Sequence, residues 1–305
     1  MNHRRTAARL LPVAAMLLMA LAACGSDDPP PGPSRNADGT LTVELGDRPF
    51  KLFVPESYSS ARPAALVIGL HGYTSHAAEL ESYFGLMEHA QERGFLYAMP
   101  DGTRDRRGDQ FWNATNACCD FYSASVDDSG YLSELIETVE QSYTVDRVFV
   151  IGHSNGGYMA HRFACDHAEQ LTAIASLAGP TWADPAQCAP ARPVSVLQIH
   201  GTADATVAYA GGQFNGTRAY PGAEETVARW REIDGCTDVA DTAAPPRDLD
   251  DAVSGPETTV TMYVDGCADG TRVELWRMQN SGHVPIPTQT FTSAVMDFFL
   301  GPIVP

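Results

Sequence analysis

The chain has 305 residues, 44% of them hydrophobic, and a formal net charge of −18 at pH 7. Past a short leader, that length allows one large α/β domain with a sizeable core. The acidic balance excludes nucleic acid and anionic lipid headgroups as favoured partners, because both present dense negative charge.

Arg4, Arg5 and Arg9 open a segment that turns apolar from Leu10 to Ala22. A basic start followed by an apolar run too short for a comfortable bilayer span marks residues 1–23 as a secretion signal. Its end, Leu21-Ala22-Ala23-Cys24, resembles a lipobox, which implies lipidation of Cys24 and attachment to a membrane through that anchor alone. Residues 24–37 then read as a tether, since Gly-Ser-Asp-Asp-Pro-Pro-Pro-Gly-Pro stays extended rather than packing. Residues 38–305 are left for the catalytic domain, expected to act as a monomer without a metal or other cofactor. The expected compartment is the cell envelope or the exterior.

Residues 41–45 and 49–54 alternate like two strands of an antiparallel edge hairpin. The continuous apolar run 64–70 predicts a strand buried on both faces, leaving at His71-Gly72. A helix over 76–93 and a strand over 95–99 follow. Residues 102–127 read as a long loop, and Asp127-Asp128-Ser129 can cap a helix running to about 143. Strands over 147–151, 194–200 and 273–278 and helices over 223–233 and 290–299 complete the alternation. Such a pattern predicts an α/β fold with a mostly parallel sheet covered by helices on both faces, antiparallel N-terminal strands and no large lid.

The strand over 147–151 runs directly into Gly152-His153-Ser154-Asn155-Gly156, and a helical pattern follows. Strand, G-x-S-x-G turn and helix in that order make a nucleophile elbow, the signature of the α/β-hydrolase architecture. The glycines let two backbones approach, and the helix N-terminus favours developing negative charge near Ser154. A serine hydroxyl needs a base, and in this fold class an acid and then a histidine follow the serine in the chain. Asp204 lies in the loop after the strand over 194–200, and His283 in the loop after the strand over 273–278. His161 and His167 fall in the helix after the elbow, and His200 ends a strand as a structural hydrogen-bonder. Asp250 and Asp251 read as solvated. The main-chain N–H groups of Asn155, just after the nucleophile, and Tyr73, just after His71-Gly72, are the expected oxyanion donors. Trp112 and Trp182 are candidates for lining a substrate pocket, with packing in the core the favoured role for each.

Cys118, Cys119, Cys165, Cys188, Cys236 and Cys267 are an even set in an exported chain, which predicts up to three disulfides. Adjacent Cys118 and Cys119 are expected to bond to different partners, because a bridge between neighbours is strained. No cysteine and histidine spacing points to zinc.

Taken in order, Leu70-His71-Gly72-Tyr73, Phe111-Trp112-Asn113-Ala114, Cys118-Cys119, residues 126–132, 152–157 and 200–207 resemble the polyhydroxybutyrate depolymerase/feruloyl esterase family of α/β-hydrolases. The resemblance covers about residues 41–300. It implies a Ser154, Asp204, His283 triad, a Cys236–Cys267 bridge near the histidine loop, and hydrolysis of hydroxybutyrate-type oligomers or feruloyl and other acyl esters. The chain departs from the family's pattern at Ser281-Gly282-His283-Val284, where members carry Gly-Gly-His and then a tryptophan, so the pocket wall differs. Two other readings stay open: a serine peptidase on the same fold, and a non-catalytic surface-binding lipoprotein.

Overall fold

The computed structural model describes residues 35–302; the expected secretion signal, Cys24 and most of the expected tether lie outside the described residues. The chain enters through β1 (Leu41–Val43) and β2 (Phe50–Phe53), an antiparallel pair that sets Leu41 opposite Leu52. Then come β3 (Ala64–Leu70), α1 (Ala77–Phe84), α2 (Leu86–Arg93) and β4 (Leu96–Met99). A small ribbon of β5 (Thr103–Arg104) and β6 (Gln110–Phe111) precedes α3 (Asp128–Glu140). The elbow joins β7 (Val145–His153) to α4 (Asn155–Asp166), and β8 (Ala173–Leu177) and β9 (Ser195–Gly201) follow. The hairpin of β10 (Gly212–Phe214) and β11 (Arg218–Tyr220), α5 (Ala223–Ile233), β12 (Thr258–Tyr263), β13 (Val273–Met278) and α6 (Phe291–Leu300) complete the described chain.

Nine of these strands form one sheet in the order β1-β2-β4-β3-β7-β8-β9-β13-β12. From β4 to β13 neighbours run parallel; β1, β2 and β12 are antiparallel. Every residue of β3 is buried, as required of an inner strand with helices over both faces. Its side chains alternate between two cores. Leu66 and Ile68 share one with Leu132 of α3, Tyr158 of α4 and Trp230 of α5. Val67 joins Phe84 of α1 and Phe291 and Phe299 of α6 in the other. Two covered faces leave the carboxyl ends of the parallel strands as the open rim where a ligand can sit.

Four features depart from the sequence reading. The helix expected over 76–93 is two helices, broken at Gly85, whose φ of 64° is open to glycine at little cost. β8 and β12 were not foreseen, and β12 makes the second edge antiparallel as well. Cys118 and Cys119 bond to each other, their Cα atoms 3.0 Å apart. Cys165 pairs with Cys188 and Cys236 with Cys267, so no other cysteine in the described chain remains for either neighbour. The Cys236–Cys267 bridge is the one the resemblance implied. Finally, Asp250 is buried rather than solvated, and its carboxylate is used in the site described next.

Among the described residues no helix is long and apolar enough to cross a membrane, and no cluster of three or more His, Cys, Asp or Glu could hold a metal ion.

Candidate active site

Ser154 occupies the hinge between β7 and α4 with φ 53° and ψ −116°, a conformation that a residue with a side chain holds only when its surroundings impose it. The surroundings are visible at the two flanking glycines. A Cβ on Gly152 would collide with the carbonyl of Gly156, and one on Gly156 with the carbonyl of Leu70. The elbow is therefore wedged between its own helix and the end of β3. The loop leaving β3 passes just as close: a Cβ on Gly72 would lie 3.6 Å from the Ser154 Cβ.

The acid loop after β9 and the histidine loop after β13 are joined through their backbones. Ala203 N–H donates to the Ser281 carbonyl at 3.0 Å and Thr202 N–H to the Met278 carbonyl at 2.9 Å. Gly201 permits this contact, since a Cβ there would strike the Ser281 carbonyl. The consequence is that three side chains from three strand ends meet. His283 Nε2 lies 2.9 Å from Ser154 Oγ, and His283 Nδ1 lies 2.7 Å from Asp204 Oδ2.

Asp204 divides its two oxygens between structure and site. Oδ1 accepts the N–H groups of Thr206 and Val207, both at 2.8 Å, which closes an Asx-type turn. Oδ2 faces His283 and, at 3.4 Å, His200 Nε2. Burial pushes the Asp204 pKa up, but the hydrogen bonds from His200, His283 and the Val207 amide outweigh it and hold the carboxyl well below the usual carboxylate range. It is a fixed negative charge against the imidazole.

The His283 loop is clamped by three groups to which the sequence reading gave no part in the site. His153 Nε2–H donates to the His283 carbonyl at 3.0 Å. The Tyr83 hydroxyl donates to the Pro285 carbonyl at 2.7 Å, and Asp250 Oδ1 accepts the Ile286 N–H at 2.9 Å. Burial lowers the His153 pKa to about 4, so at neutral pH it is an uncharged donor. Its place within the G-x-S-x-G motif was the available signal. Tyr83 and Asp250 had none, because their partners lie 202 and 36 residues away.

The Tyr73 and Asn155 main-chain N–H groups have no hydrogen-bond acceptor among the described residues, as suits donors waiting for an oxyanion. Their supports interlock. The Asn155 side chain brackets the Trp112 backbone, with Oδ1 accepting its N–H at 2.7 Å and Nδ2 donating to its carbonyl at 2.9 Å. The Trp112 indole N–H donates to the His71 carbonyl at 3.1 Å, and the His71 ring accepts the Gly102 N–H at 2.9 Å. The Tyr73 hydroxyl donates to Asp105. Burial, and then that carboxylate, push the Tyr73 phenol up to about 12.

A cavity of about 330 Å³ opens over Ser154 and His283, lined by Tyr73, Leu80, Tyr83, His153 and Val284 and by the polar side chains of Ser75 and Glu79. Neither tryptophan lines it, and the core role favoured for Trp112 is the one found. Trp112 is 0% exposed behind His71, where its indole is used for support. Trp182 borders a separate cleft with Pro185 and Arg229.

Known proteins fit this geometry. A family model described as Serine aminopeptidase, S33 (Hydrolase_4) matches residues 61–209. Feruloyl esterase B of Piromyces equi is 28% identical over 238 residues, covering 75% of this chain, while this chain spans 41% of that enzyme's length. Feruloyl esterase C of Emericella nidulans is 25% identical over 269 residues, covering 83% of this chain and 86% of the relative. Among solved structures, the acetyl xylan esterase from Aspergillus awamori superposes with a TM-score of 0.57 at 16% identity, over 85% of this chain and 98% of its own; that likeness bears on the fold. The chain has the α/β-hydrolase fold and is similar in sequence to feruloyl esterases.

Proposed function

We propose that the chain is a serine esterase that hydrolyses carboxylic esters through an acyl-enzyme. The observation that carries this reading is the relay itself, Ser154 Oγ to His283 Nε2 at 2.9 Å and His283 Nδ1 to Asp204 Oδ2 at 2.7 Å. In it His283 takes the Ser154 proton as Oγ attacks the ester carbonyl and gives it to the departing alcohol. Asp204 holds the imidazole with its proton on Nδ1 and stabilises the imidazolium. The N–H groups of Tyr73 and Asn155 receive the oxyanion, and water then releases the acid by the same steps.

The cavity walls supply aromatic and aliphatic surface, which suits an apolar or phenolic acyl group; the feruloyl esterase relatives support the same class. Hydroxybutyrate-type oligomers are the second substrate class to test. In this reading residues 1–23 export the chain, Cys24 anchors it by lipid, residues 24–37 tether it and residues 38–305 carry out the chemistry as a monomer. The three disulfides accord with an oxidising compartment.

Ser154→Ala is expected to lower turnover of short p-nitrophenyl esters by at least about 10⁴ with the fold intact. Unchanged turnover in that variant overturns the reading. The matched family model's description makes a peptidase the alternative; a panel of feruloyl esters, hydroxybutyrate oligomers and aminoacyl peptides in which only the peptides are cleaved would decide for it.

A further inference from the structure

Next to Asp204 lies a line of buried polar side chains that the reaction itself does not use. Trp230 of α5, His161 of α4, and Gln198 and His200 of β9 are each 0% exposed. The Trp230 indole Nε1 lies 2.9 Å from His161 Nδ1. His161 Nε2 lies 2.9 Å from Gln198 Oε1, Gln198 Nε2 lies 3.4 Å from His200 Nδ1, and His200 Nε2 lies 2.8 Å from the Val207 carbonyl. From Asp204 Oδ2 the same His200 nitrogen is 3.4 Å away.

The direction of every link follows from the first. An indole N–H can only donate, so His161 Nδ1 must accept and His161 carries its proton on Nε2. That proton goes to Gln198 Oε1. The Gln198 amide therefore turns its NH₂ toward His200 Nδ1, which must accept in its turn. His200 is left with its proton on Nε2, aimed at the Val207 carbonyl and the Asp204 carboxylate. Burial lowers the His161 pKa to about 4, so at neutral pH it does not pick up a second proton that would break the sequence of donors. Were the chain to run the other way, a bare lone pair of His200 would face both the Val207 carbonyl and the Asp204 carboxylate, and three acceptors would crowd one buried space.

We propose that Trp230, His161, Gln198 and His200 form a one-way hydrogen-bond chain that sets the His200 tautomer and thereby positions the Asp204 carboxylate for His283. All four are positioning residues. The proposal rests on the serine esterase reading for its effect on rate, but the direction of the chain is a property of the folded protein alone. In the sequence, the Gln198-Ile199-His200-Gly201 segment carries the near half of the chain and the acid it serves follows at Asp204, while α4 and α5 supply the far half from the layer over the sheet.

Two measurements test it on the intact chain. Nitrogen-15 NMR of the histidine rings is expected to show His161 and His200 in the Nε2–H form in the wild type, and an Nδ1–H population at His200 in Gln198→Met, which keeps the side-chain length and removes both amide groups. Finding His161 or His200 as Nδ1–H in the wild type overturns the proposal, whatever the protein hydrolyses. The second measurement is kinetic. Gln198→Met and Trp230→Phe are each expected to lower kcat by about threefold to tenfold with KM unchanged, and the double variant to fall no further than Gln198→Met alone, because both cut the same chain. Effects of the two substitutions that simply multiply, or a kcat within twofold of wild type in Gln198→Met, also overturn it. Failure of the esterase reading is distinguished by Ser154→Ala retaining wild-type turnover, which leaves the NMR result standing.

Discussion

Ser154 sits on a turn whose flanking glycines touch neighbouring carbonyls, whereas His283 rides on a loop whose outer residues Val284 and Ile286 are 60% and 57% exposed. Ser154, the proposed nucleophile, is located by exclusion: side chains at Gly152 and Gly156 would strike the Gly156 and Leu70 carbonyls. His283, the proposed base, is located by attachment, through His153 on its own carbonyl, Tyr83 on Pro285 and Asp250 on Ile286. Steric wedging is nearly all-or-none, since interiors are close-packed and cannot yield by an ångström. Hydrogen-bonded clamps are graded, each contributing on the order of 1 kcal/mol, and can be removed one at a time.

The contrast predicts a descending series of effects. At the elbow, Gly156→Ala places a methyl group against the Leu70 and His71 carbonyls. It is expected to cut ester turnover by at least about 10³ and to lower the melting temperature by several degrees, since overpacking costs roughly 1–3 kcal/mol or more. Near-normal turnover would show that the elbow is held in some other way. In the histidine loop, Asp250→Ala strips the acceptor from the Ile286 and Ala252 N–H groups. A loss of about tenfold in kcat is expected with little change in KM, read together with slower labelling by a fluorophosphonate, because a loosened His283 activates Ser154 less often.

Tyr83→Phe removes a single donor, to the Pro285 carbonyl, and is expected to cost about twofold to fivefold. A larger loss than that of Asp250→Ala would invert the ranking of the clamps.

The remaining effect is one of pH and falls on stability rather than on turnover. Because His153 has its pKa lowered from 6.5 to about 4 in the folded protein, the unfolded chain binds the extra proton first as pH falls. The contribution is fully present above about 6.5 and is lost as pH drops toward 4, at roughly 1.4 kcal/mol per pH unit at most. His153→Gln can still donate but cannot take up the proton. Its stability relative to wild type is therefore expected to rise between pH 6.5 and 4.5 in paired thermal melts; a constant difference would remove His153 from the acid response.

Much of the site was legible beforehand because its demands are local. A strained serine needs small neighbours at fixed offsets, and Gly152 and Gly156 answer that need within five residues. Asp204 and His283 were found by chain order and by their place just after buried strands, where an open α/β sheet gathers its chemistry. What escaped notice depended on distant partners. Asp250 reads as solvated in its Asp- and Pro-rich surroundings and is buried only because the histidine loop folds over it. Trp112 reads as a core or pocket residue, but its service as a brace was hidden, since its indole meets His71 across 41 residues. β8 is a five-residue strand that pairs with β7 and β9, and β12 is half-exposed on an edge, so neither carries a strong signal of its own.

Sequence alone determined the class of fold, the elbow and the three groups of the relay, because periodicity, glycine spacing and residue chemistry act over a few residues. Tertiary structure decided which cysteines bond, which tryptophan touches solvent, how the His283 loop is held and which way the buried imidazoles point. Those outcomes depend on what lies across a contact, and a hydrogen bond or a disulfide takes its partner from space rather than from position along the chain.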